Sequence, residues 1–129
     1  MRRKEGVNMS VQFHIDVMQD YLAVRVTGAG APEDVWRQYE SFAEHCNRTN
    51  KDKLLIDYTE AYGEISLADR YFLGDRAEIF ACHSIKVATV ARPEQHDPRR
   101  FVEIVAQNRR VNYRSFTNTK DALEWLLKE

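Results

Sequence analysis

Ser66 is the residue whose type and position most clearly suggest chemistry. It lies in the segment EISLAD, with Asp69 three residues later. This spacing is typical of a helix capping box, in which the serine hydroxyl accepts a backbone N–H and the carboxylate accepts one in return. A hydroxyl at the positive end of a helix can also carry a phosphate, although Glu64 and Asp69 would repel it. The residues alone therefore leave two roles open, a cap and a phospho-acceptor.

Three acidic residues, Asp57, Glu60 and Glu64, precede this serine and follow the apolar run at 54–56. Carboxylates at a strand end can bind a divalent cation, and a solvated acidic loop explains them equally well. In open α/β sheets, ligands dock where strands end and helices begin. We expect partner or ligand contacts there, from Asp57, Thr59, Glu64, Ser66, Tyr71 and Phe72. We predict no metal and no cofactor.

The remaining reactive side chains do not form a dense constellation. The histidines are scattered one per predicted element: His14, His45, His83 and His96. Cys46 lies on an apolar helical stripe, and neither it nor Cys82 has zinc-ligand spacing. We therefore expect no catalytic residues and no enzyme. Reduced thiols are typical of a cytoplasmic protein.

Composition sets broad limits on the class of protein. The chain has 129 residues, 43% of them hydrophobic and 30% charged, with a formal net charge of −1. One soluble domain is the expectation, and neither a nucleic-acid partner nor a membrane span of roughly 20 apolar residues is predicted. Residues 1–9 should be a disordered lead before a domain at 10–129, and either Met1 or Met9 could be the native start.

Hydrophobic patterning predicts the element order ββαβαβαβα. Alternating runs at 11–17 and 22–27 indicate an antiparallel hairpin, and apolar runs at 53–58, 85–91 and 113–116 indicate further strands. Residues 57–65 read as a turn. Helix starts are expected near Pro32, Ser66 and Asp97, and the last helix is expected to be capped by Asn118 or Thr117. The fold class is a single α/β domain with a mixed sheet of about five strands and four helices.

At this point two stretches resemble a known family. They are VAQNRRVNYRSF at 105–116 and DALEWL at 121–126. Together with the element order, they resemble the SpoIIAA-like domains of the STAS superfamily, which includes bacterial anti-sigma-factor antagonists. The resemblance covers about residues 10–129. It implies a mixed sheet with packed helices, no established enzymatic activity, and binding of proteins or small ligands, lipid-like ones included.

The resemblance also suggests a role for Ser66. In the anti-sigma antagonists, an Asp-Ser-Ser-Gly-like segment opens the helix after the third strand, and a partner kinase phosphorylates a serine in it. Ser66 occupies the matching position, without the preceding Asp, the second serine or the following glycine. Three functions follow: a non-catalytic binding or regulatory module, a binder of a lipid-like or other apolar small molecule, and a phospho-regulated antagonist with Ser66 as acceptor.

Aromatic residues exceed what one helix face can bury. Trp36 lies off the stripe of its helix, and the adjacent Tyr71 and Phe72 face different ways. We expect the surplus to form either a homodimer interface or a small apolar pocket between helices, centred on the helix that begins at Ser66.

Overall fold

A five-stranded mixed sheet organises the molecule. The computed structural model describes residues 11–128, so the lead predicted at residues 1–9 lies outside the described residues. The strands are β1 (Gln12–Val17), β2 (Leu22–Ala29), β3 (Lys53–Tyr62), β4 (Lys86–Val90) and β5 (Tyr113–Phe116). They lie in sequence order across the sheet, with β1 antiparallel to β2 and the other neighbours parallel. The predicted fold class is confirmed.

Four helical segments connect and cover the strands, and two of them are divided in two. The helices are α1 (Pro32–Trp36), α2 (Tyr39–Arg48), α3 (Leu67–Arg76), α4 (Glu78–Cys82), α5 (Phe101–Asn108) and α6 (Thr119–Leu126). A single turn of 3-10 helix, Pro93–Gln95, lies between β4 and α5. Within residues 11–128, no helix is long and apolar enough to cross a bilayer.

The two faces of the sheet bury separate cores. Alternate strand residues, among them Leu54, Ile56 and Val87, pack under the helices α1 to α5. The opposite face presents Leu55, Ala88 and Val90 to α6, whose Ala122 and Leu126 are fully buried. Because the central strands are covered on both sides, they read as continuous apolar runs in the sequence.

Three predicted boundaries are wrong in position. The helix expected to run from Pro32 through Cys46 is divided at residues 37–38, although its apolar stripe of Val35, Tyr39, Phe42 and Cys46 is buried as one. The turn expected at 57–65 is strand as far as Tyr62, because β2 is long enough to pair with β3 up to that residue. Gly63 then turns the chain with a φ of +131°, a conformation that favours glycine.

The third shift concerns the helix expected at Asp97, which begins at Phe101. The Asp97 carboxylate accepts the backbone N–H of Arg99 at 3.1 Å and of Phe101 at 3.4 Å, so it still caps the chain before the helix. At the last helix, the predicted cap is confirmed: Asn118 Oδ1 accepts the N–H of Asp121 at 2.8 Å.

Gly74 brings α3 against α5. A Cβ built there would lie 2.7 Å from the Cβ of Val105 and 2.8 Å from the carbonyl oxygen of Val102. No residue with a side chain fits without moving a helix, so the close approach expected of this glycine is confirmed.

Candidate functional site

A cavity of about 480 Å³ lies between the sheet and α1, α3 and α5. Its floor is formed by residues of β3, β4 and β5. Its walls include Val35 of α1, Leu73 of α3 and Val102 of α5. This volume falls in the range of small-molecule sites. The position, outside the carboxyl ends of parallel strands, is where α/β sheets most often bind ligands.

The floor of the cavity is polar because hydroxyl-bearing residues alternate onto one face of the sheet. Tyr58 of β3, Thr89 of β4, and Tyr113 and Ser115 of β5 all line it. The strand register pairs Thr89 with Ser115, and the Thr89 hydroxyl donates to the Ser115 hydroxyl at 3.0 Å. Parallel pairing therefore sets hydroxyls from three strands side by side.

One further phenol, that of Tyr39 of α2, completes the floor; Tyr39 is 2% exposed and lines the cavity. Burial raises the pKa of Tyr58 to about 12, against a smaller lowering by the neighbouring Tyr39. Burial likewise raises the pKa of Tyr39 and of Tyr113 well above the ordinary value. All three phenols are therefore neutral at physiological pH.

Charged residues that line the cavity are compensated within the protein. Arg100 Nε lies 3.1 Å from the Glu103 carboxylate, which also accepts the Ser115 backbone N–H at 2.7 Å. The Arg92 Nε contacts the Glu94 carboxylate at 2.8 Å. Hydrogen bonds from backbone N–H groups, chiefly that of Arg99, hold the pKa of Asp97 below its usual range, with a further electrostatic contribution from Arg70. The cavity therefore carries no large excess of either charge.

Arg92 also ties the cavity wall to β3. Its guanidinium donates to the carbonyl oxygens of Thr59 and Ala61, and Gln95 Nε2 donates to those of Tyr58 and Ala61 at 3.0 and 3.1 Å. These bonds hold the segment after β4 against the end of β3. They satisfy strand carbonyls that β4, which ends at Val90, does not reach.

One predicted contact residue, Glu64, lines the cavity, at its exposed mouth. Asp57 and Thr59 lie elsewhere. The Asp57 carboxylate accepts both the backbone N–H and the hydroxyl of Thr59, at 2.8 and 2.7 Å, so the pair forms a local turn-like contact. Among residues 11–128, no group of three metal-ligating side chains could hold an ion.

Ser66 forms the complete capping box that the sequence predicts. Its hydroxyl accepts the Asp69 N–H at 3.0 Å, and the Asp69 carboxylate accepts the Ser66 N–H at 3.0 Å. The residue is exposed. A phosphate on this hydroxyl would lie near the Asp69 carboxylate, and the two negative charges would repel each other.

The surplus aromatics pack mostly against one another. Phe72 contacts Trp36 across α1 and α3, with ring centroids 5.3 Å apart, and Tyr71 at 5.4 Å. The Tyr71 hydroxyl lies 3.2 Å from Arg109, whose Nε also binds the Asp75 carboxylate at 2.9 Å. Tyr71 and Phe72 therefore lie beside the cavity wall without lining the cavity.

Both cysteines are free thiols. Cys46 is fully buried, as its place on the apolar stripe predicts, and burial raises its pKa to about 11. Among the histidines, only His96 lines the cavity, and its Nε2 is 3.1 Å from the carbonyl oxygen of Phe116. Neither cysteine lines the cavity.

Sequence reasoning missed the phenols of the floor, Tyr39, Tyr58 and Tyr113. Tyr39 lies on the apolar stripe of its helix, and Tyr58 and Tyr113 lie at the ends of predicted strands, so each reads as core. A usable signal was present in Tyr58, Thr89 and Tyr113, because each is a polar-tipped residue in a predicted strand. Such a residue must find a partner for its hydroxyl, and the carboxyl ends of neighbouring strands bring these groups together.

Comparison with known proteins supports the fold. No family model and no curated protein matches the sequence. An anti-sigma factor antagonist from Mycobacterium paratuberculosis superposes with a TM-score of 0.62 at 14% identity, over 96% of this chain and 100% of that one. A DUF3478-family protein from Shewanella loihica PV-4, described as having a SpoIIAA-like fold, gives a TM-score of 0.53 at 26% identity, over 95% and 98%. The resemblance predicted from the sequence is confirmed, and the chain adopts a SpoIIAA-like fold over nearly its whole length.

Proposed function

We propose that this chain is a non-catalytic binding module of SpoIIAA-like type that takes a small, largely apolar molecule into the cavity above β3, β4 and β5. The observation that carries the proposal is the cavity itself. It combines about 480 Å³ of space with apolar walls and a floor of buried hydroxyls. That combination is typical of ligand sites, in which a few polar groups orient a mostly apolar ligand.

The cavity is difficult to explain as a packing defect. Protein interiors pack as densely as organic crystals, and a void forfeits the contacts of the side chains around it. Here the walls are ordinary core residues, and Val35 and Leu73 are only 6% and 7% exposed. One larger side chain at Ala61 or Ala91, both in the lining, would reduce the space.

A non-catalytic role is supported by the chemistry of the lining. The phenols have raised pKa values and remain protonated, so they are poor bases. The Glu103 carboxylate is occupied by Arg100 and the Ser115 N–H. Neither arrangement supplies an activated nucleophile with a base in hydrogen-bond contact.

The regulatory part of the proposal is that a protein partner binds at the mouth of the cavity. Tyr62 is 61% exposed, Ile65 36%, Leu67 55% and Tyr71 39%. Tyr62 and Ile65 also line the cavity, so a partner on this surface would contact the region where a ligand enters. The fold similarity to an anti-sigma factor antagonist supports a protein partner. A second copy of the chain is the homodimer alternative, and light scattering at high concentration separates the two.

The test of the cavity uses a neutral fluorescent ketone, 6-propionyl-2-dimethylaminonaphthalene, with delipidated protein. We expect saturable binding at one site per chain, and native mass spectrometry of freshly purified protein should show any molecule that co-purifies. Ala61→Phe fills the cavity and should weaken probe binding at least about tenfold, which corresponds to 1.4 kcal/mol. The matched control is Glu60→Phe, on the same strand, because Glu60 is exposed and does not line the cavity.

Two results would contradict the proposal. One is a wild-type chain that binds no apolar probe and carries no co-purified molecule. The other is equal loss of binding in Ala61→Phe and Glu60→Phe, since that would place the probe on the surface. Circular dichroism of both variants establishes that each is folded.

A further inference from the structure

We propose that the outer edge of β1 pairs antiparallel with the same edge of a second copy of this chain, which joins two five-stranded sheets into one. The inference goes beyond the proposed function and does not depend on the cavity. It names an interaction surface, the strand Gln12–Val17, and its partner, an identical strand. Its basis is the difference between the two edges of the sheet and the self-complementarity of β1.

The sheet edge at β5 is closed by side chains of α5. The Tyr113 carbonyl oxygen accepts from Gln107 Nε2 at 3.0 Å. The Ser115 carbonyl oxygen accepts from the Arg100 guanidinium at 3.0 Å, and the Ser115 N–H donates to the Glu103 carboxylate at 2.7 Å. Another strand at this edge would have to displace all three side chains.

The sheet edge at β1 is open by comparison. The Met18 N–H donates to the Tyr21 carbonyl at 2.9 Å, which shows which residue pairs of the hairpin are hydrogen-bonded. Because such pairs alternate along antiparallel strands, the N–H and C=O groups of Phe13, Ile15 and Val17 point away from β2. Within residues 11–128, no other group is hydrogen-bonded to them on that side. The strand also lacks the proline, lysine or bulge that commonly protects an edge.

An antiparallel copy of β1 fits this edge in a self-complementary register. Only residues whose backbone groups point outward can form the hydrogen-bonded pairs of the new seam. Ile15 facing Ile15 of the second copy, with Phe13 facing Val17 of that copy, meets this condition and gives about six backbone hydrogen bonds. Val17, which is 55% exposed, gains an apolar neighbour in this arrangement.

The same register pairs complementary polar side chains. It sets His14 opposite Asp16 of the second copy, and twofold symmetry repeats the contact. Both residues are exposed, and they occupy the non-hydrogen-bonded positions, where facing side chains lie closest. The His14 Nε2 contacts the Thr27 hydroxyl at 3.3 Å, so Nδ1 remains for the carboxylate. The neighbouring registers would set His14 against itself or Asp16 against itself, and the latter opposes two carboxylates.

Sedimentation equilibrium of the full chain over a concentration series tests the dimer. We expect reversible association from the chain mass of 15.1 kDa to twice that mass. One pair of short strands buries less surface than a standard protein interface, so the dissociation constant should lie in the micromolar range or above.

Charge exchange at the two exposed positions tests the register. His14→Glu opposes two carboxylates, and Asp16→Lys removes the acceptor for His14. Because symmetry counts each change twice, each variant should raise the dissociation constant about tenfold. The double variant should dimerise at least as tightly as the wild type, since each new glutamate faces a new lysine. The matched control is Arg114→Glu, at an exposed position of β5, which should stay within about twofold of the wild type.

Val17→Pro tests the backbone contribution. Proline removes the outward N–H of this residue and leaves the hydrogen bonds between β1 and β2 in place, as edge strands tolerate. The dissociation constant should rise about tenfold, because symmetry removes two hydrogen bonds. Val17→Ala shortens the side chain and keeps the N–H, so it should weaken the dimer less. Circular dichroism establishes that each variant is folded.

Four results would overturn the inference. They are a monomer at every concentration, a dimer indifferent to the single β1 variants, a double variant that fails to restore association, and loss of the dimer in Leu67→Lys alone. The last would place the second copy at the mouth of the cavity, where Leu67 is exposed. None of these measurements involves the fluorescent probe, so the inference and the proposed function can fail separately.

Discussion

Replacing Gly74 by alanine should destabilise the protein, against the usual trend for a helix. In an exposed helix interior, alanine is about 1 kcal/mol more favourable than glycine. Here the new Cβ would lie 2.7 Å from the Cβ of Val105 and 2.8 Å from the carbonyl oxygen of Val102. The carbonyl is part of the α5 backbone, so no side-chain rotation relieves the contact. One helix must move.

The magnitude follows from the balance of these two effects. Overpacking a well-packed core costs roughly 1–3 kcal/mol, and contacts below 3.0 Å with backbone place this site toward the upper end. Subtracting the propensity gain of about 1 kcal/mol leaves a net loss of about 1–2 kcal/mol in the free energy of unfolding. Because Leu73 and Val102 flank the contact and line the cavity, the same variant should also weaken probe binding.

Urea denaturation followed by circular dichroism measures the loss as a lower midpoint with an unchanged slope. The pair Arg76→Gly and Arg76→Ala supplies the control. Arg76 is exposed in the same helix, and both variants lose the same side-chain contacts, so their difference gives the propensity effect alone. A Gly74→Ala protein as stable as the wild type, or more so, would refute the close approach of α3 and α5.

Three further predictions follow from groups already described. Ser66→Ala should lower the free energy of unfolding by about 1 kcal/mol in the same urea assay, because it removes the cap of α3. A thiol reagent at pH 8 should label Cys82 in the folded protein and Cys46 only after denaturation, since Cys46 is buried with a pKa of about 11. Finally, the contribution of Tyr58 to stability should be constant below pH 10 and be lost between pH 10 and 12, because its pKa is about 12 when folded and 10 when unfolded, and folding favours the protonated phenol. Tyr58→Phe should therefore reduce the fall in stability over that range.

Much of the fold follows from local patterns in the sequence. The hairpin of β1 and β2 alternates with a period of two because one face of it is covered. The β5 bounds and the caps at Ser66 and Asn118 also agree with the structure, since a cap depends on residues three apart in the chain. Such features need no knowledge of distant contacts.

The main error in the predicted strand boundaries arises where pairing with a strand distant in sequence determines the structure. Residues 57–62 look like a loop because they are polar, and they form strand because β2 supplies a partner. Arg25 of β2 then meets Glu60 of β3 at 2.9 Å, an ion pair between residues far apart in sequence. Propensity is a weak guide where a neighbouring strand offers backbone hydrogen bonds.

The same reason explains the candidate site. Its hydroxyl groups come from β3, β4 and β5, with that of Tyr39 supplied by α2, and sequence alone does not place these elements side by side. Only Glu64 of the predicted contact set lines the cavity, although the segment after β3 was identified as the docking region. The general position followed from the α/β rule that ligands bind at carboxyl ends of strands. Which side chains line the cavity depends on the register of the strands.

Ser66 lies in a short segment that also contributes residues to the cavity lining. Ile65 lines the cavity and is the residue before the helix cap, and Arg70 and Leu73 of the capped helix line it too. A phosphate on Ser66 would place negative charge beside Asp69 and break the capping box. It would therefore loosen the first turn of α3, which forms one side of the mouth. Ligand binding and modification at Ser66 would thus be coupled through α3, and protein phosphorylated at Ser66 that bound the probe with unchanged affinity would contradict that coupling.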